Sequence, residues 1–202
     1  MRITQLPENY REAYHLTITD SAQLLWLNIL SLALLVPFVF LMFWWAGMVQ
    51  DLRGANESAA ALPDVLIWFL VIMVLPLHEL IHGVVIQAVG HRPRYGMKLT
   101  RVGPIKLPYV LYATADGAYF TRWQFVAVAM APAVVITLLG MLLVYLLPDA
   151  LALPVAAAVV INGSGAVGDV WMTWVVLRYT PEALVKDEAD SIRVYVPAPA
   201  ET

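Results

Sequence analysis

The chain has 202 residues, of which 61% are hydrophobic and only 13% are charged, about half the charged share of a typical soluble domain. This composition excludes intrinsic disorder and leaves too little polar surface for a soluble fold, while a net charge of −3 provides no basic surface for nucleic acid. The absence of cysteine excludes disulfide frameworks, thiolate metal sites and cysteine nucleophiles.

Four long segments with almost no charge predict four transmembrane helices. A helix needs about 20 apolar residues to cross a bilayer. The uncharged segments are 26 to 30 residues long, and their only charged residues are Glu79 and Asp169. We place the helices at 24–49, 65–90, 123–147 and 154–177. The predicted fold class is therefore an all-α polytopic membrane protein that forms a single membrane domain over residues 1–202.

Lysine and arginine are distributed unevenly between the loops. Eleven of the twelve lie in the N-terminal leader, in the loop after the second helix or in the C-terminal tail, and only Arg53 lies on the opposite side. The positive-inside rule therefore places both termini in the cytoplasm. This arrangement needs an even number of spans, which agrees with four.

The cytoplasmic loop at 91–121 contains β-prone runs at 109–112 and 118–120 and a turn signal where Gly117 follows Asp116. These features favour one or two short β-hairpins in the loop, and an irregular loop is the alternative. The polar tail at 180–202 ends in alternating proline and alanine, and we expect it to be frayed.

The second predicted helix contains an HExxH motif, formed by His78, Glu79 and His82. Residues four apart lie on one helix face, so both imidazoles can reach one ion. Neutral imidazole suits Zn²⁺, and Glu79 can act as a base toward a zinc-activated water. Histidines packed against helix carbonyls are the alternative, but an ionisable group at membrane depth indicates function by default.

Asp169 is the candidate third ligand of the metal. A catalytic zinc usually has three protein ligands and one open position. Counted from the predicted cytoplasmic ends of their parallel helices, His82 is eight residues deep and Asp169 is nine, which places both about 12–14 Å from that boundary. A structural ion pair is the alternative role for Asp169.

Other residues in these helices bear on the site. Asn162 lies two turns before Asp169 on the same face and is a candidate to hold a substrate carbonyl or an oxyanion, although a hydrogen bond between helices is the favoured interpretation. Pro76 removes a helix amide two residues before His78, and a kink there could admit water. Gly83 permits close approach of another helix.

The HELIHG sequence in one membrane helix, with an aspartate two helices later, resembles the intramembrane zinc metalloproteases of the site-2 protease type. The resemblance covers the second to fourth predicted helices. It implies that His78, His82 and Asp169 bind zinc and that Glu79 is catalytic. The chain departs from that family's Asn-x-x-Pro-x-Pro-x-x-Asp-Gly pattern, because glycine and alanine replace the prolines and Val170 follows the aspartate.

The chain is more similar to a small prokaryotic family of zincin peptidases. The shared features are the HELxHG helix, Ala131 and Pro132 in the next helix, and the pair Gly168 and Asp169. This resemblance implies an integral, multi-pass protein of a prokaryotic plasma membrane.

These observations predict a membrane-embedded zinc metallopeptidase that hydrolyses peptide bonds of membrane or membrane-associated proteins. Zinc would activate water, and Glu79 would act as general base and then general acid. The expected partners are a membrane protein or peptide substrate and the lipid bilayer. A non-hydrolytic zinc transporter or sensor is the alternative. An ion pathway needs polar residues at several depths, whereas the predicted spans contain one cluster of ionisable residues at one depth. An inactive zinc scaffold would not need the intact Glu79.

Overall fold

A computed structural model of the chain describes residues 3–17, 21–54, 63–102, 105–188 and 191–199. The chain divides into two compact units. The sheet unit comprises Met1–Leu24, Glu79–Ala131 and Asp169–Thr202, and the helical unit comprises Leu25–His78 and Pro132–Gly168.

Within the described residues, six helices occupy the apolar segments. They are α1 (Ser21–Arg53), α2 (Asp64–Ile72), α3 (Val74–Ala88), α4 (Arg122–Leu146), α5 (Asp149–Gly165) and α6 (Val167–Leu177). Three stretches are long and apolar enough to cross a membrane, namely Leu25–Arg53, Asp64–Ala88 and Arg122–Leu146. The pair α5 and α6 is bent by 40° and provides a fourth candidate if it forms one span.

The first three predicted spans agree with these helices, and the fourth differs in detail. Helix α5 begins at Asp149 rather than at 154, because the extended backbone of Pro148 provides its N-cap. The fourth segment is interrupted at Ala166, between glycines that weaken a helix. The second is interrupted at Met73, one turn before Pro76, whose missing amide weakens the helix, but Asp64–Ala88 still forms one candidate span and the expected kink stays a prediction. The count of four spans stays a prediction.

The helical unit has an apolar exterior. Several of its large apolar side chains are exposed, among them Leu32, Val36, Phe40 and Phe43. Its helices make close contacts inside. The ring of Phe38 lies where a side chain on Gly163 would be, and the Ser31 hydroxyl donates to the Ser164 carbonyl at 2.9 Å. An apolar exterior of this kind is typical of a surface that faces lipid.

The sheet unit contains six strands. They are β1 (Tyr10–Thr17), β2 (Arg94–Val102), β3 (Ile105–Thr114), β4 (Phe120–Thr121), β5 (Leu184–Asp187) and β6 (Ser191–Pro197). Strands β2 and β3 form an antiparallel hairpin, which confirms a hairpin in the loop at 91–121, but the β-prone run at 118–120 ends in β4, which pairs with β5 instead. The other four form an antiparallel sheet in the order β1-β6-β5-β4.

This four-stranded sheet corrects two expectations. The chain is mostly helical but not all-α, and the tail expected to be frayed contributes β5 and β6. Strand β6 pairs on both sides, and its residues Ile192 and Val194 are fully buried. The sequence did not reveal the sheet because the partner of β6 is β1, which lies about 180 residues earlier in the chain.

The core of the sheet unit holds the ends of α3 and α4. Ile86 of α3 packs with buried residues of α4, α6 and the sheet. Helix α3 ends at Ala88. Gly90 follows it with a positive φ of 93°, which suits the residue after a helix C-terminus, and the amide of His91 donates back to the Ile86 carbonyl at 3.0 Å. Helix α4 begins with a capping box in which Thr121 and Gln124 exchange hydrogen bonds between side chain and backbone. These contacts hold the helices that carry the candidate site.

Candidate metal centre

Helix α3 brings the three HExxH residues together. The potential ligand atoms of His78, Glu79 and His82 all lie within 4.8 Å of one another. The spacing follows from the helix, because residues three and four apart occupy the same face on successive turns. His82 is buried, and the other two side chains are half-buried. The described part of the chain thus contains a group of side chains able to hold a metal ion.

Both ring nitrogens of His82 have contacts in the described structure. Nδ1 lies 2.8 Å from the Val128 carbonyl of α4. Because a carbonyl can only accept, Nδ1 must donate, and Nε2 of the neutral ring carries the lone pair. Nε2 lies 3.5 Å from Oδ1 of Asp169, at the start of α6. The sequence-predicted pair of His82 and Asp169 is therefore adjacent within the sheet unit.

His78 makes its side-chain contact within the helical unit, with a side chain rather than with a backbone carbonyl. Its Nδ1 lies 2.8 Å from Oδ1 of Asn162 in α5. The amide nitrogen of Asn162 donates to the Pro132 carbonyl of α4 at 3.3 Å. Since that carbonyl can only accept, the amide nitrogen faces Pro132 and the oxygen faces His78. His78 is therefore also held with the proton on Nδ1.

The donor set fits zinc. Zinc ligands of the imidazole and carboxylate type lie at 2.0–2.2 Å, so two of them in a tetrahedral site are about 3.4 Å apart. The separation of 3.5 Å between His82 Nε2 and Asp169 Oδ1 agrees with that value. In the neutral ring, Nε2 and the carboxylate oxygen are both acceptors, so either a shared metal ion or a proton on Nε2 would have to lie between them. Acceptors on the second ring nitrogen are also usual for histidines that bind metals.

The sequence singled out the histidines, Glu79 and Asp169, whose roles at a metal stay predictions, and it did not reveal everything that contacts them. The helix-to-helix hydrogen bond expected for Asn162 is present, and its partner is His78. The contact of Val128 was missed, because a backbone carbonyl has no residue signature. The signal that could have revealed it is Pro132, four residues later, which lacks the amide that such a carbonyl normally meets.

Gly83, which directly follows the second histidine, accommodates the hairpin. The hydroxyl end of Tyr95 in β2 occupies the space where a side chain on Gly83 would be. The close approach predicted for Gly83 is therefore made by a strand residue rather than by another helix.

A comparison with protein families matches residues 71–184 to a model described as "Putative zincin peptidase". The matched segment covers more than half of the chain and includes the HExxH residues, Asn162 and Asp169. No curated protein and no solved structure matches the chain significantly.

Proposed function

The chain belongs to this zincin peptidase family, and from that premise we propose that it is a membrane-embedded zinc metallopeptidase acting on membrane or membrane-associated proteins. The observation that supports the proposal best is the paired arrangement of the two histidines. Each donates from Nδ1 to an oxygen acceptor, so that each presents the lone pair of Nε2 to a metal.

In this proposal the two motif histidines and Asp169 hold the zinc ion, and Glu79 handles the proton. Zinc, when bound, supplies Lewis-acid chemistry toward the scissile carbonyl and the attacking water. Glu79 accepts a proton from the water while the water oxygen forms a bond to the carbonyl carbon of the substrate. The same carboxyl then donates that proton to the leaving amine as the carbon–nitrogen bond breaks.

The proposed topology has four spans with both termini in the cytoplasm. It is supported by the order of the four-stranded sheet, which joins β1 of the leader, β4 of the central loop and β5 and β6 of the tail. Strands of one sheet lie on one side of a membrane, so an even number of spans must separate them. Two spans, α1 and the α2–α3 segment, would separate β1 from β4. Two more, α4 and the bent α5–α6 segment, would separate β4 from β5.

The substrate proposed is a membrane-associated peptide. The carboxylate and both histidines lie in the apolar Asp64–Ala88 segment, which is long enough to cross a membrane. This location supports the likeness to site-2 proteases, which cleave within the bilayer. A helical substrate would have to unwind before its carbonyls could reach the site.

The test is a matched set of variants in purified, reconstituted protein. We expect the native protein to bind about one zinc ion and to cleave membrane peptides. Glu79→Gln should keep the zinc and lower turnover by roughly 10²–10⁴-fold, because it removes the general base. His82→Ala and Asp169→Ala should lose zinc. The control is Glu8→Gln, an exposed carboxylate of the leader that should behave as the native protein does.

Two outcomes would overturn the proposal. Hydrolysis that survives Glu79→Gln would contradict the role of Glu79 as general base. A native protein that binds no zinc would remove the metal centre. Zinc flux into proteoliposomes without peptide cleavage would instead favour a transporter.

A further inference from the structure

Helix α4 contains a proline at a position that affects the backbone beside His82. In an α-helix each amide donates to the carbonyl four residues earlier. Pro132 lies inside α4 and has no amide, so the carbonyl of Val128 lacks its usual helical donor. A buried carbonyl left without a partner destabilises the folded state. His82 meets this need, because its Nδ1 donates to the Val128 carbonyl at 2.8 Å.

The same proline takes part in a second contact through its own carbonyl. That oxygen accepts the Asn162 amide at 3.3 Å, and Oδ1 of Asn162 accepts from His78 at 2.8 Å. A carbonyl has two lone pairs, so this bond can add to the one inside the helix. Asn162 is buried and Pro132 is fully buried, so water does not readily replace either contact.

The two contacts match the spacing of the motif. His78 and His82 are four residues apart on α3, and the two carbonyls, of Val128 and Pro132, are four residues apart on α4. Each contact lies within one unit, the first in the sheet unit and the second in the helical unit. Both have one chemical result, a proton on Nδ1 and a lone pair on Nε2.

We propose that Pro132 and Asn162 are positioning residues, which set the tautomer and orientation of both motif histidines for metal binding. Pro132 exposes the Val128 carbonyl to His82 and orients Asn162, and Asn162 in turn orients His78. The inference rests on the proposed metal centre, but it concerns residues that do not touch the metal. Loss of such contacts typically lowers metal affinity 10–100-fold.

Pro154 provides a matched control. It is also a fully buried proline inside a helix, α5. The carbonyl four residues before it belongs to Ala150, outside the metal centre. Pro132→Ala and Pro154→Ala thus make the same chemical change at two buried helical positions. Only at the first does the carbonyl four residues earlier contact a motif histidine.

The experiment uses the full chain in detergent micelles and has two readouts. One is the zinc dissociation constant measured by competition with a chelator. The other is the tautomer of the histidines in metal-free protein, measured from their ¹⁵N chemical shifts. We expect Pro132→Ala and Asn162→Leu to weaken zinc binding about 10–100-fold and to raise the fraction of Nε2-protonated histidine. Pro154→Ala should change neither readout.

Asn162→Asp keeps an oxygen acceptor for His78, although its carboxylate cannot donate to the Pro132 carbonyl, and it should retain the native tautomer of His78 and weaken zinc binding less than Asn162→Leu does. This rescue separates positioning from a general packing defect, which both substitutions at 162 would share. The inference is wrong if the native protein binds zinc and if Pro132→Ala and Asn162→Leu have the same zinc affinity and the same histidine tautomers as the native protein. The proposed function would stand in that case. If the native protein binds no zinc, the proposed function itself fails.

Discussion

The two units of the chain differ in how they use apolar residues. The sheet unit has a core in which Phe120, Val185 and Ile192 are at most 1% exposed. In the helical unit many large apolar side chains point outward, and Phe40 is 73% exposed. The sheet unit also contains a cluster of ion pairs, in which Arg193 on β6 pairs with Glu12 on β1 and with Glu188, directly after β5.

The difference is the one expected of a chain that meets both lipid and water. The sheet unit has the inward core of a protein that meets water, where burial of apolar surface drives folding. The helical unit gains little from moving an apolar side chain from lipid into the protein, because both surroundings are apolar. Its helices associate through close packing at small residues instead. Substitutions of the same type should therefore have unequal effects in the two units.

The largest contrast is expected between two phenylalanines. Phe120→Ala removes a fully buried ring from the core of the sheet unit and should lower the free energy of unfolding by about 3–5 kcal/mol. Phe40→Ala removes an exposed ring of the helical unit and should change it by well under half as much. The measurement is unfolding in mixed micelles followed by circular dichroism. Equal losses for the two variants would show that the contrast between the units does not exist.

A smaller effect should appear at two glycines of α5. A methyl group on Gly163 would collide with the ring of Phe38, whereas Gly165 has open space around it. We expect Gly163→Ala to cost about 1–3 kcal/mol through overpacking. Gly165→Ala should be neutral or stabilising by up to about 1 kcal/mol, because alanine favours the helix. The same unfolding measurement applies, and a harmless Gly163→Ala would contradict close helix packing in this unit.

The smallest effect concerns the charges of the sheet unit. The Lys186 ammonium, followed by Arg193, lowers the pKa of Glu188 from 4.5 to about 2. Because the folded pKa is the lower one, the stabilisation is complete above about pH 4.5 and is lost as the pH falls toward 2. Stability measured across this range should therefore decline with acid, and Glu188→Gln should reduce the decline. An unchanged slope in that variant would exclude Glu188 as the cause.

The helices and the HExxH motif could be predicted because their signals are local. A long run without charge predicts a membrane helix wherever its partners lie, and the spacing of His78 and His82 is determined by the turn of a single helix. The hairpin of β2 and β3 was predicted for the same reason, since its strands are adjacent in the chain. Asp169 was identified because few charged residues occur in apolar segments.

The rest depended on residues that are distant in the chain. The pairing of β1 with β6 joins segments about 180 residues apart, and no pattern within either strand specifies the other. The acceptor of His82 is a backbone carbonyl, which any residue type supplies, so its identity follows only from how α3 and α4 pack.

The sequence by itself therefore determined which segments are apolar helices and which side chains are able to bind a metal, because periodicity, charge and residue chemistry are properties of the chain. Only the tertiary structure decided which oxygens hold the two histidines, and hence which nitrogen each presents. Hydrogen-bond partners across helices depend on distances of a few tenths of an ångström, and packing alone sets those distances.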